Sequence, residues 1–221
     1  MSPPPDVLRI GAIGMGRWGP NHVRNFSALR DCRVTAVADP LDACLQRVRE
    51  SYRDVACLQD YRALLARDDV DAVVVATPTN IHAEVVRAAL EAGKHVLCEK
   101  PLTQFSATSW ELVRLAESRR RVLMVGHVFL FNAAIEYMAQ ALAEQAAGPM
   151  YYLNATRTNL GPFRYDVNAA WDLASHDIYI FNHLLRSRPA WVSAVGESFL
   201  NRPIEDIVFL TLQYPGGVLG H

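Results

Sequence analysis

The chain has 221 residues, which allows one large domain, or one domain and part of a second. Apolar residues make up 51% and charged residues 20%, a globular composition that excludes a wholly disordered chain. With 22 Lys and Arg against 23 Asp and Glu the net charge is −1, which points away from nucleic acid as a partner.

A Pro-rich leader over 1–6 is expected to be mobile. Apolar runs and amphipathic stretches then alternate. Strands are expected over 7–13, 33–38, 55–58, 72–76, 95–98 and 122–128, with helices over 21–29, 41–52, 61–66, 83–92 and 109–119 between them. The run AVVVA at 72–76 is apolar throughout, without alternation, so both of its faces are expected to be buried in a parallel sheet covered by helices. Gly93 follows the fourth helical pattern as a stop. A further helix over 132–145 ends at Gly148-Pro149, and the domain boundary is expected there. Beyond it lie a strand over 150–158, a helix over 170–185, and strands over 191–200 and 204–214 joined by a turn at Asn201-Arg202-Pro203. The last residues, Gly216 to His221, read as a hairpin turn entering another strand, so a longer protein is expected.

Gly14-Met15-Gly16-Arg17-Trp18-Gly19 is GxGxxG between a strand and a helix. The first glycine serves a tight turn, and the second lets backbone approach a pyrophosphate. The third lets helix pack on strand, while free amides at the helix start face the phosphates. Pro20 sits just inside that start, where its missing N–H costs nothing. Asp39 ends the second strand, where an acid accepts bonds from a ribose, and Pro40-Leu41 offers no Arg for a 2′-phosphate. This favours NAD over NADP. Asp39 as an N-cap of the next helix is compatible with that role.

Ligands of an open parallel sheet bind outside the carboxyl ends of the strands. There stand Thr77-Pro78-Thr79-Asn80-Ile81-His82, with Asn80 also readable as a helix cap, and Glu99-Lys100-Pro101, where Lys100 reads as a group steadying an alkoxide or as a solvated surface lysine. Pro101 is a candidate for a cis bond. His127 follows the sixth strand and either reaches the cleft or is satisfied at the strand end. Asp172 and His176 are i and i+4 on a helical pattern, a spacing that suits a general base and its orienting carboxylate, and equally a surface pair. Arg157 and Asn159 read as binders of polar substrate groups or as ordinary sheet-face residues. Cys32, Cys44, Cys57 and Cys98 form no CxxC pair, so no metal site and no disulfide framework are expected, and the setting is expected to be cytoplasmic. MSPPPDVLRI does not read as a signal peptide, and the run over 122–135 is too short for a membrane span.

The combination GMGRWG (14–19), Asp39, ATPTNIH (76–82), CEKPL (98–102), GH (126–127) and WDLASHD (171–177) resembles the glucose–fructose oxidoreductase, inositol dehydrogenase and rhizopine catabolism family, Gfo/Idh/MocA. The resemblance implies an α/β fold. A Rossmann domain with a doubly wound parallel sheet would cover 7–148, and an incomplete α+β domain with a mainly antiparallel sheet would cover 149–221. It implies Lys100 as catalytic lysine, His176 as general acid/base and Asp172 as a substrate or relay residue. Gly14, Gly16, Arg17, Trp18, Gly19, Asp39, Thr77, Pro78, Asn80, His82, Glu99 and Lys100 would line a nicotinamide cofactor, with His127, Arg157 and Asn159 on the substrate side. The implied activity is hydride transfer to or from a CH–OH carbon of a sugar, sugar nucleotide or cyclitol, in a homo-oligomer (dimer or tetramer). The alternatives are a glycoside hydrolase working by transient oxidation and a non-catalytic NAD(H)-binding protein.

Overall fold

The computed structural model describes residues 7–144, 148–158, 166–200 and 203–221. The leader, Asn159 and most of the turn at 201–203 lie outside them. The chain divides into two compact units, the first ending at Gly126 and the second beginning at His127.

The first unit alternates strand and helix: β1 (Leu8–Ile13), α1 (Gly19–Ser27), β2 (Cys32–Ala38), α2 (Asp42–Ser51), β3 (Ala56–Leu58), α3 (Tyr61–Leu65), β4 (Ala72–Val75), α4 (Thr79–Glu91), β5 (His95–Cys98), α5 (Ser106–Arg119) and β6 (Leu123–Val125). The six strands pair in parallel in the order β3-β2-β1-β4-β5-β6. The order reverses between β1 and β4, the switch point of a doubly wound sheet. Both faces are buried, which explains the unbroken apolar strands. Ile10, Ala12, Val37 and Val74 pack with Val23, Leu45 and Val48 of α1 and α2. Ile13, Val73 and Val75 pack on the other face with Leu64, Val86, Leu90 and Leu112 of α3, α4 and α5. Gly93, at φ +74°, ends α4 in a left-handed conformation, and Lys94 N–H returns to the Ala89 carbonyl at 2.9 Å.

The sixth strand is shorter than expected. The backbone leaves the sheet after Val125, and Val128–Phe131 forms a 3₁₀ turn. Helix α6 (Ala133–Ala143) follows. Its Ile135, Ala139 and Leu142 pack on the core of the second unit, around Ile180, Phe181, Leu184, Leu212 and Tyr214. The division therefore falls after Gly126 and not near Gly148, because the half-buried apolar side of α6 packs on the core that contains the later helix.

That helix is α7 (Ser175–Leu185), preceded by a π-helical turn over Ala170–Ala174. The sheet of this unit holds β7 (Tyr152–Leu153), β8 (Trp191–Glu197), β9 (Ile207–Gln213) and β10 (Leu219–Gly220) in the order β7-β10-β9-β8. β8, β9 and β10 run antiparallel, while β7 joins β10 in parallel. The expected strand over 150–158 contracts to the two residues of β7, although Tyr151 O and Ala155 N–H still bond Leu219 and His221 beside it.

Candidate active site

Residues that follow β1, β2, β4, β5 and β6 meet at one sheet edge. Gly14 N–H donates to Ala38 O, Ala76 N–H to Ile13 O, Glu99 N–H to Val75 O and Gly126 N–H to Cys98 O, all at 2.8–2.9 Å. This places the glycine loop, Asp39, Thr77-Pro78 and Glu99-Lys100 side by side.

The three glycines differ in what surrounds them. At Gly14, with φ +93°, a Cβ would meet the Ala76 carbonyl at 2.7 Å, so the turn lies directly on the end of β4. At Gly19 a Cβ would overlap the Gly14 carbonyl oxygen. At Gly16 a Cβ would find nothing within 4 Å, so this backbone faces open space. Gly16, Arg17 and Trp18 are exposed at the head of α1, whose first turn contains Pro20.

Asp39 is 8% exposed. Its Oδ2 accepts from Met15 N–H at 2.7 Å and its Oδ1 from Leu41 N–H at 2.8 Å. It does not cap α2, whose N-cap is Leu41, and instead ties the glycine loop to the end of β2. Carboxylate oxygens carry further lone pairs, so acceptor capacity for ribose hydroxyls remains.

Asn80 does not cap α4 either. The helix begins at Thr79 with Pro78 as N-cap, which leaves the Asn80 side chain exposed in the first turn. Thr77 Oγ1 is buried and has no hydrogen-bond partner among the described residues. His82, expected along the cofactor, is 1% exposed. Its Nδ1 lies 2.9 Å from Pro101 O and its Nε2 2.8 Å from Thr77 O, so it joins two loops and offers no surface to a ligand.

The Lys100–Pro101 bond is cis. Lys100 is half-buried. Glu99, also expected along the cofactor, bonds His22 of α1, with Oε1 2.7 Å from Nε2. Sequence reasoning missed His22, whose one signal is its place three residues after Gly19 in the first turn of α1. Neighbouring Cys98 is fully buried, and burial pushes its thiol well above the usual range, so it offers no nucleophile.

Of the 22 Lys and Arg, only Lys94 and Lys100 are lysines. They flank β5. Lys94 Nζ donates to Arg67 O and Val70 O, each at 2.8 Å.

In the second unit, Asp172 lies in the π-helical turn and His176 in the first turn of α7. The expected α-helical i,i+4 pair is thus interrupted, because the π turn widens the helix between the two residues. Such turns recur at functional sites. His176 is 8% exposed, and its Nδ1 lies 2.9 Å from Tyr179 Oη. Tyr179, also missed, stands i+3 from His176 on the same face. Phe129 meets the His176 ring edge-on at 4.9 Å. His127 packs on the Tyr179 ring at 4.1 Å, its Nδ1 is buried without a partner among the described residues, and burial lowers its pKa. Arg157, expected to bind substrate, forms a bidentate pair with Asp177 at 2.7 and 2.9 Å and lies over the Phe129 ring. Its fork is occupied within the unit. Asn159 lies outside the described residues.

The open backbone at Gly16, the unpartnered Thr77 hydroxyl and the Asp39 carboxylate suit a dinucleotide. The family model described as "Oxidoreductase family, NAD-binding Rossmann fold" matches residues 8–127, and the model of the Gfo/Idh/MocA C-terminal domain matches 135–221.

The chain belongs to the Gfo/Idh/MocA family of oxidoreductases.

Among similar curated proteins, the UDP-N-acetylglucosamine 3-dehydrogenase of Acidithiobacillus ferrooxidans is 34% identical over 86% of this chain and 58% of its own length. The myo-inositol 2-dehydrogenase of Thermotoga maritima is 26% identical over 96% of the chain and 67% of its own. A solved structure of a probable dehydrogenase from Thermotoga maritima superposes with a TM-score of 0.87 at 27% identity, over 96% of this chain and 67% of the other. The chain thus spans between about 58% and 67% of the length of these relatives.

Proposed function

We propose that this chain carries the cofactor half and the acid/base residues of a dehydrogenase. It would act on a secondary CH–OH of a sugar nucleotide, sugar or cyclitol, with NAD preferred to NADP. The observation that carries this reading is the single sheet edge that brings Gly16, Asp39, Thr77 and Lys100 together. Asp39, with no arginine in the two residues after it, supports NAD. The UDP-N-acetylglucosamine and inositol dehydrogenases among the relatives support the substrate class.

A bound nicotinamide supplies the acceptor or donor of hydride. The Gly16 backbone and the head of α1 would hold its phosphates, Asp39 its adenosine ribose, and the Thr77 hydroxyl a further polar group. Lys100 donates a hydrogen bond to the reacting oxygen and stabilises the charge that develops there as the C–H bond breaks. His176 takes the hydroxyl proton in oxidation and returns it in reduction, and Asp172 orients the substrate or relays that proton. Oxidation thus removes one hydride and one proton from the carbinol.

We propose a homo-oligomer in a reducing, cytoplasmic setting. One sheet face of the second unit leaves Trp191, Val195, Phe209 and Leu219 exposed, which supports association, and all four cysteines are free.

The test is incubation of the protein with NAD and, separately, UDP-N-acetylglucosamine, myo-inositol and related polyols, following NADH. Substrate-dependent NADH is the expected result. Release of an aglycone from a glycoside without NADH accumulation would replace this reading by transient oxidation. NAD binding with no turnover on any CH–OH substrate would replace it by a non-catalytic role.

A further inference from the structure

The Glu99 carboxylate is held from several sides. His22 Nε2, in the first turn of α1, lies 2.7 Å from Oε1, with the two side chains only 16% and 13% exposed. Oε2 accepts from the Lys100 backbone N–H at 3.3 Å. After β6, a carbon added at Gly126 would touch that same Oε2 at 3.5 Å. On the far side of Lys100, His82 of α4 grips the Pro101 carbonyl at 2.9 Å. The lysine therefore sits between two anchored neighbours, each fixed by a histidine from a different helix.

We propose that His22 is a positioning residue for Lys100: its bond to Glu99 ties the helix that follows the glycine loop to the loop that carries the lysine. A carboxylate withdrawn from water keeps its place only while donors satisfy it. His22 is the side-chain donor here. Without it Glu99 turns toward water, the Lys100 amide loses its acceptor, and the loop loses its side-chain tie to α1. Phosphates bound at the head of α1 would then no longer set the position of the lysine. This inference rests on the proposed roles of the glycine loop and Lys100, and its test reads the environment of the lysine directly, so that its failure and theirs are distinguishable.

The scarcity of lysine supplies the probe. Reductive ¹³C-methylation labels Lys94, Lys100 and the terminal amine, keeps their charges, and gives one NMR signal set per site. Lys94→Arg assigns the two lysines. Lys94, tied to Arg67 and Val70 in the same unit, reports folding within the same spectrum. In nucleotide-free protein, His22→Leu is expected to shift or broaden the Lys100 signal and leave Lys94 in place. His22→Gln, which keeps a donor of similar reach, restores it. His22→Asn, too short to reach the carboxylate, behaves like His22→Leu and serves in its place if that variant does not fold. In a Glu99→Ala background, removing His22 as well adds no further displacement. A Lys100 signal in the Leu and Asn variants that superposes on the wild type would overturn the proposal. So would a further displacement in the Glu99→Ala background, since His22 would then act by another route. The same spectra recorded with NADH test the cofactor reading separately.

Discussion

Gly14, Gly16 and Gly19 share one motif but not one constraint. A Cβ at Gly14 or Gly19 runs into backbone, and Gly14 also sits at φ +93°, whereas Gly16 faces open space. Gly14→Ala and Gly19→Ala are therefore expected to cost about 1–3 kcal/mol of stability each. Gly16→Ala is expected to melt like the wild type and, on the proposed reading, to bind NADH more weakly, since its methyl would stand where a phosphate would approach. Thermal melts beside NADH titrations separate the two classes, and equal melting of all three variants would refute the assignment. Lys100→Ala is expected to keep NADH binding and lose roughly 100- to 1,000-fold in kcat. Lys100→Arg should fare little better, because a rigid fork cannot replace a point donor. Turnover close to wild type in either variant would remove the lysine from the chemistry. The motif residues were legible because each occupies a loop at a strand end, where the order of elements already implies the site. His22 was not, because its partner Glu99 is 77 residues away and only the sheet brings them together. The engagement of Arg157 by Asp177 was hidden in the same way, across 20 residues.

At the scale of elements, β1 and β4 are clamped where β4 begins. Asp71 accepts from the Arg9 guanidinium at 2.6 and 2.9 Å and from the Arg9 backbone N–H at 2.9 Å. These bonds, the side-chain pair first, lower the Asp71 carboxyl from an ordinary 3.8 to about 2. A carboxylate depressed on folding contributes stability that is fully present above its unfolded pKa and is lost as pH falls through the folded value. Acid titration of the melting temperature should therefore show an added loss between about pH 4 and pH 2 that Asp71→Asn lacks. Parallel curves for the two proteins would show that the clamp contributes nothing. The strands of the first unit were readable because parallel strands buried on both faces are apolar without alternation. Less readable were the ends of β6 and β7, where pairing partners run out, and the π turn before α7. The residues at 170–176 fit an α-helical spacing as well as a π one, so their pattern alone does not reveal the insertion of a wider turn.

For the whole molecule, the two units follow from two kinds of burial. The first closes helices over both faces of its sheet, while the second packs α6 and α7 on its sheet and leaves another face open. Val195 and Phe209 pair directly across β8 and β9 on that open face. Phe209→Lys is expected to reduce self-association in sedimentation without lowering the melting temperature of the first unit. Unchanged sedimentation of an associating protein would clear this face of that role. Among the described residues no helix is long and apolar enough to cross a membrane. The central claim is that the sheet edge built from Gly16, Asp39, Thr77 and Lys100 holds a nicotinamide dinucleotide. The most direct measurement is a titration of the chain with NADH, and in parallel NADPH, read by tryptophan fluorescence with Trp18 beside the loop as reporter. A saturable change, tighter for NADH and lost in Gly16→Val, is the expected result. A chain that melts cooperatively yet shows no saturable change with either nucleotide would contradict it.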